Sequence, residues 1–387
     1  MAKVPAQPVY MVDPLANNAS VKIATKAYAQ PVYTVDQTGA PASSGGTAAG
    51  VTNLKASNTQ KIRAALIKAK TGRARARIIT VGDSTTSGVG APNKLLSYPM
   101  QLATEFGARG IPNRSDFSYS IQNDDPRWVI PAAWTSASNQ MRVNNTDSSV
   151  LSFTPIKTDV DTFDVFLSDG GGASATISLQ IDSGAITTFT LGGTNNWVKR
   201  TLTATAGTHT LNMFRSAGTG QVRVVGVEAY SSTAKDLAVL NMGLNASLTS
   251  DWGVTGFGYS PRTMATNLAG DAYIINLGIN DADFGGNLTS YAANLQSMIT
   301  SFKAIGDVIL VFPNPWSGNS SAAVQQQYAA VMYNLSASND IPLFDLNLRW
   351  KDYATVNSLG LMFNTLHPNE AFYNDEARWI ATAILGS

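Results

Sequence analysis

The sequence predicts an α/β domain interrupted by an antiparallel β-sandwich, and three observations carry that prediction. An apolar strand near residues 76–82 runs into a small-residue turn and then a helix over 95–107, the usual opening of an α/β sheet. The same strand-and-helix texture resumes at residue 236 and continues to the end of the chain. Between 115 and 235 helix formers thin out, and short alternating segments divided by Gly, Asn and Asp take over.

Residues 1–58 read as an arm, with short polar stretches and no sustained periodicity. Inside it AQPVYMVD at 6–13 returns as AQPVYTVD at 29–36, suggesting two short strands or two copies of a docking peptide. Residues 40–50 are linker by composition. A helix is expected over 58–70, where Ile62, Ala65, Leu66 and Ala69 share one face. Ile78, Ile79 and Val81 then make a strand, and Leu95, Met100, Leu102 and Phe106 a helix. The sandwich strands include TFDVFLS, ATISLQID, HTLNMFRS and QVRVVGVEAY. Further strands follow at 236–243, 272–281, 307–315 and 341–346, with helices near 288–305, 320–338 and 370–385. The expected division is therefore an arm at 1–58, an α/β domain split into 59–114 and 236–387, and an insert at 115–235.

Composition removes whole classes of chemistry. Hydrophobic residues make up 44% of the 387 and charged residues 14%, enough for a sizeable core. No apolar run approaches the roughly 18 residues of a membrane span, and the first residues show no apolar leader core. Without cysteine there is no disulfide, thiolate site or cysteine nucleophile. With only His209 and His367, a zinc site of several histidines is excluded, and any histidine base is one of these two. Residues 1–77 hold 11 Lys or Arg against Asp13 and Asp36, a net +9 that leaves −8 to the remainder. No base-stacking aromatics accompany that run, so it reads as a solvated helix face plus a tether and not as a nucleic-acid surface.

Loops after successive parallel strands converge on one sheet edge. Here they carry Gly82-Asp83-Ser84, Gly243 and Gly278-Ile279-Asn280-Asp281, and near the C-terminus stands Asn364-Thr365-Leu366-His367-Pro368. A nucleophilic serine needs a base, a group that orients the base, and donors for the oxyanion. Each role has a candidate on a separate segment. Alone, each motif has a plainer reading: a turn at Ser84, a tight bend at Gly243, a helix cap at Asn280 and Asp281. His209, in GTHTL, reads as a strand-face residue. Asp169 and Asp182 read more simply as turn residues than as calcium ligands. No G-x-S-x-G elbow, Walker A loop or dinucleotide fingerprint is present.

VGDSTTSG, NMGLN, LGIND and NTLHPN resemble, in order, the four sequence blocks of the SGNH (GDSL-type) hydrolases. The resemblance implies a doubly wound α/β/α sandwich with Ser84 as nucleophile and His367 as general base. It also implies an oxyanion hole built from the N–H groups of Ser84 and Gly243 and the Asn280 amide, with no metal or organic cofactor. One position departs: the family usually has Asp three residues before the histidine, and this chain has Asn364. That leaves a Ser-His-Asn site, a Ser-His dyad with another acceptor, or a lapsed site kept for binding; Asp345 is a substitute carboxylate to be placed.

SGNH domains with such an insert resemble carbohydrate esterases, including deacetylases of bacteriophage tail fibres and tailspikes. The resemblance implies O-acetyl esters of a bacterial surface polysaccharide as substrate, with Trp128, Trp134 and Trp197 as sugar platforms unless they are core. It implies virion proteins as partners of the arm, a homotrimer, and action at the host surface, while a cytoplasmic enzyme fits the sequence equally. The competing readings are an inactive carbohydrate-binding virion protein and a lipase or thioesterase of the same fold. The polar loop at Gly285, Gly286 and Asn287 does not suggest an acyl pocket.

Overall fold

The computed structural model describes residues 50–386 apart from 114–115, 122–123, 138–140, 147, 171–173, 195, 254–258 and 285. The AQPVYxVD repeat and most of the expected arm therefore lie outside the described residues.

A six-stranded sheet forms the centre, in the spatial order Val51–Thr52, Leu343–Asp345, Asp307–Phe312, Ala272–Asn276, Ala76–Gly82, Leu237–Gly243. All neighbours run parallel except the first pair. Side chains on these strands are mostly apolar on both faces, as a sheet covered by helices on both sides requires. They alternate between two cores. Ile79, Val81, Leu240, Met242, Tyr273 and Ile275 face one, together with helices Leu288–Lys303 and Ala322–Asn339. Ile78, Val239 and Ile274 face the other, with helices Gln60–Lys70, Tyr98–Ala108 and Glu370–Gly386. This is the doubly wound α/β/α arrangement.

Residues 50–58 do not belong to an arm. Val51 pairs with Phe344, the Asp345 N–H donates to the Gly50 carbonyl at 2.7 Å, and the Asn53 amide bonds the carbonyls of Ser336 and Ile341. Two β-branched or hydroxylated residues suffice to close the sheet edge that Leu343–Asp345 would otherwise expose.

The insert is a β-sandwich of two antiparallel sheets. One orders as Thr187–Thr190, Thr176–Ile181, Leu211–Ala217, Leu151–Phe153, Trp128–Val129; the other as Trp197–Gly207, Val160–Ser168, Val222–Tyr230, Met141–Asn144, Thr135–Ala137. Phe153, Phe163, Val165, Leu179 and Met213 fill the space between them. The second sheet also packs outward: Phe117, Met141, Phe166 and Val225 join the core of the α/β domain. Strand Val160–Ser168 is therefore buried on both faces.

An ion cluster pins the insert to the central sheet. Glu228, fully buried, receives Arg75 at 2.8 Å and Arg77 at 3.1 Å, and both arginines stand at the head of the Ala76–Gly82 strand. Removing one member of a buried pair leaves an uncompensated charge. Glu228→Ala is expected to lower unfolding free energy by roughly 3 kcal/mol in urea titrations.

His209 sits in the turn between strands Trp197–Gly207 and Leu211–Ala217, not on a strand face. Its Nδ1 is 2.7 Å from Asp182 Oδ2 and its Nε2 is 2.6 Å from the Thr205 carbonyl. Both partners only accept, so both bonds are made together only by the imidazolium. The Asp182 bond raises its pKa above the ordinary histidine value, and the Thr205 carbonyl adds to this. Its contribution to stability is complete below the unfolded value of about 6.5 and fades as pH rises through the higher folded one. The melting temperatures of wild type and His209→Gln are expected to differ at pH 5 and to converge at alkaline pH.

Candidate active site

Strands Ala76–Gly82, Leu237–Gly243 and Ala272–Asn276 end level with one another, Gly243 and Asn276 both opposite Gly82. The loops beyond them make the site. Asp83 caps the four-residue helix Ser84–Ser87: its Oδ1 accepts the Thr85 N–H and hydroxyl, both at 2.9 Å. The carboxyl is fully buried and its other oxygen has no partner among the described residues. Burial accordingly pushes its pKa up to about 6, against the pull of the Thr85 bonds.

The cap sets the backbone from which Ser84 projects. His367 Nε2 lies 2.8 Å from Ser84 Oγ, across 283 residues of chain. On the other side of the ring, Nδ1 is 3.1 Å from Asn364 Oδ1. The same oxygen accepts the N–H groups of Leu366 at 2.9 Å and His367 at 2.8 Å. Those two amides can only donate, so they fix which end of the Asn364 side chain is carbonyl. Nδ1 must then carry the proton, and Nε2 is left as an acceptor aimed at the serine hydroxyl. Asp345 is elsewhere: it accepts from the Leu348 N–H at 2.7 Å and the Tyr333 hydroxyl at 2.7 Å.

Burial lowers the His367 pKa below the ordinary histidine value, and Lys94 adds to this. The Lys94 ammonium is itself buried and paired with Asp124 at 3.1 Å. No carboxylate faces the ring to oppose these effects among its hydrogen-bond partners.

The expected oxyanion donors are only partly assembled. The Ser84 N–H has no protein acceptor among the described residues. Asn280, on the short helix Ile279–Asp283, spends one amide proton on the Ser247 carbonyl at 3.0 Å and keeps the other. Gly243 does not fit its expected role, because its N–H donates to Asn241 Oδ1 at 3.0 Å. What glycine provides there is clearance: a Cβ would come within 2.2 Å of the Ser87 nitrogen. Sequence reasoning missed Ala246 instead. It adopts φ +60°, is exposed, and its N–H has no acceptor among the described residues. Its neighbours are tied down on both sides, Asn245 to the Ser87 hydroxyl and the Ser247 carbonyl to Asn280. Nothing in the sequence signals an alanine held in the left-handed region. Asp281 braces the next loop, accepting from the Thr249 N–H at 3.0 Å and its hydroxyl at 2.6 Å.

Two of the three tryptophans expected as sugar platforms, Trp128 and Trp134, are core. Trp128 is 7% exposed, 4.8 Å from the Phe153 ring centroid, and bonded to Ser118; Trp134 is 2% exposed and bonded to the Ser149 carbonyl. Trp197 is half-buried, tilted against Phe166. Core space between two sheets claims large rings, and a backbone or hydroxyl acceptor satisfies each buried indole. The oxygens of Asp169 and Asp182 are taken by loop donors, Gly193 and Thr194 for the first and Thr210 and His209 for the second.

Fold and site together define a serine hydrolase. The model of the GDSL-like lipase/acylhydrolase family matches residues 167–374, more than half of the chain, and the chain belongs to that family. It is an esterase of the GDSL type. The match begins downstream of Ser84, so geometry, and not the matched segment, attaches the serine to His367. No curated protein matches. Among solved structures, a peptidoglycan O-acetylesterase superposes with a TM-score of 0.63 at 12% identity, covering 86% of this chain and 97% of its own. A two-domain esterase active on acetylated mannans has a TM-score of 0.42 at 11% identity, covering 86% of this chain and 54% of its own. A family two carbohydrate esterase from Clostridium thermocellum has a TM-score of 0.32 at 12% identity, covering 71% and 99%.

A base that must be neutral sets the acidic limb of the rate profile. That limb of kcat/KM is expected below the ordinary histidine value in wild type. Asn364→Asp, placing a negative charge on Nδ1, is expected to move it to higher pH and to raise kcat about tenfold. That is far short of the roughly 10⁴-fold penalty of a mis-set tautomer. Lys94→Met is expected to shift the limb in the same direction. pH profiles with p-nitrophenyl acetate measure all three.

Proposed function

We propose that the protein hydrolyses O-acetyl esters on a bacterial surface polysaccharide, with Ser84, His367 and Asn364 as its catalytic residues. The observation that carries this reading is the chain Ser84 Oγ, His367 Nε2, His367 Nδ1, Asn364 Oδ1, with each link at 2.8–3.1 Å where atoms are not bonded. His367 Nε2 takes the hydroxyl proton as Ser84 Oγ attacks the acetyl carbonyl. The tetrahedral oxyanion rests on the Ser84 N–H, the second Asn280 amide proton and the Ala246 N–H, which takes the place expected of Gly243. The imidazolium gives its proton to the sugar oxygen as the bond from that oxygen to the acetyl carbon breaks, leaving the acetyl group esterified to Ser84 Oγ. Water, deprotonated by the same nitrogen, attacks that ester; the bond to Oγ breaks, Oγ takes the proton back from His367, and acetate leaves. None of these steps requires a cofactor.

The polysaccharide reading is supported by the inserted β-sandwich, whose Asp124 pairs at 3.1 Å with Lys94, the cation that acts on His367. Residues 1–49, with their repeated phrase, fit a virion-docking arm, and action at a host surface as part of a phage tail follows from that reading.

Acetate release from p-nitrophenyl acetate and from acetylated polysaccharides tests the proposal. Ser84→Ala is expected to lose at least 10³-fold in kcat/KM, of the order seen when a triad member is removed. Equal turnover by wild type and Ser84→Ala would remove the serine from the mechanism.

A further inference from the structure

Helix Ile279–Asp283 faces two ways. Asn280, near its start, donates to the Ser247 carbonyl beside Ala246, while Ala282 and Asp283, near its end, line a groove of about 720 Å³. From Asn280 to Asp283 the helix rises about 4.5 Å, close to the length of one sugar ring. A second connection runs through the loop after strand Asp307–Phe312. There Asn314 bonds the Leu366 carbonyl at 3.0 Å and the Ser317 N–H bonds the Thr365 carbonyl at 2.8 Å. The loop then continues to Asn319 and Ser320 in the groove wall.

The chemistry of the groove is uniform. Leu288, Val324 and Tyr328 give it apolar surface, and Asn287, Asn319 and Gln327 give it amides. Its one charge, Asp283, is already spent: Oδ1 takes the Trp316 indole at 2.8 Å and the Ser320 hydroxyl at 2.6 Å, and Oδ2 takes the Asn319 N–H at 3.1 Å. No Lys or Arg lines it. Phe284, the residue that follows Asp283 in the chain, is 66% exposed. A solvent-facing phenyl ring one residue along from a wall of neutral amides and hydroxyls suits the apolar face and hydroxyl rim of a pyranose.

We propose that this groove is a subsite for an uncharged sugar of the polysaccharide chain, neighbouring the one whose acetyl group reaches Ser84, with Phe284 as its stacking platform. The proposal rests on the polysaccharide reading above. It assigns Phe284 a part that sequence reasoning gave to Trp128, Trp134 and Trp197.

The test compares wild type, Phe284→Ser, Phe284→Trp and the double variant Asn319→Ala/Gln327→Ala on acetylated glucomannan, acetylated polygalacturonate and p-nitrophenyl acetate. On glucomannan, Phe284→Ser and the double variant are expected to lose about tenfold in kcat/KM, mostly through KM, with Phe284→Trp near wild type. All four are expected to turn over p-nitrophenyl acetate alike, and wild type is expected to prefer the neutral polymer to the polyanion. If wild type releases acetate from glucomannan and Phe284→Ser does so equally well, the subsite is wrong and the substrate reading stands. If Phe284→Ser loses as much on p-nitrophenyl acetate as on the polymer, its effect is structural and the subsite is likewise wrong. If wild type hydrolyses p-nitrophenyl acetate and neither polymer, a general subsite for a neutral acetylated sugar chain is wrong, and the substrate reading is left to acetylated bacterial polysaccharides alone.

Discussion

The site depends on one carbonyl oxygen. Asn364 Oδ1 accepts three N–H groups, two from its own turn and one from the imidazole. An asparagine in this place is usually a liability, because its amide can rotate to present NH₂ to the ring and force the wrong tautomer. Here the backbone of Leu366 and His367 removes that freedom. The turn replaces the carboxylate's first function, orientation, while leaving out its second, stabilising the imidazolium by charge.

The two histidines show how partner chemistry alone sets a ring's state. His209 faces a carboxylate and a carbonyl, and is held charged. His367 faces a carbonyl and a hydroxyl, the hydroxyl able to donate, and is held neutral by burial and by Lys94. The first fastens a turn of the insert. The second is free to gain a proton and lose it again, which is what a base must do.

Much of this was legible in the sequence, for a physical reason. Strand ends in a parallel sheet share an edge, so apolar runs followed by Gly-Asp-Ser, Gly-Ile-Asn-Asp and a late His-Pro already imply convergence. The assignments that failed turned on things sequence does not encode locally. Gly243 looked like a donor, but which acceptor a backbone N–H finds depends on Asn241 folding back two residues. Trp128 and Trp134 looked like platforms, but the face of a strand that turns inward is decided by the opposing sheet. Val51 and Thr52 looked like the end of the arm because two residues carry no periodicity, and only the open edge at Leu343–Asp345 recruits them. The groove draws its wall from Ala282, Asp283 and residues 286–289 on one side and from Asn319 to Tyr328 on the other, segments without any shared motif.

A weakened base and a remote grip belong together energetically. Without a carboxylate behind His367, the imidazolium that forms with the tetrahedral intermediate is less stabilised, and the barrier for any small ester is correspondingly higher. Binding energy from parts of the substrate that do not react can be used to hold the ester in its attack geometry, lowering the same barrier from the other side. A polymer offers such parts and a free acetyl ester does not. An SGNH site with Asn at this position is thus one whose advantage grows with substrate length. A groove one helix turn from Asn280, its single carboxylate already engaged by Trp316, Ser320 and Asn319, is where that length would be read.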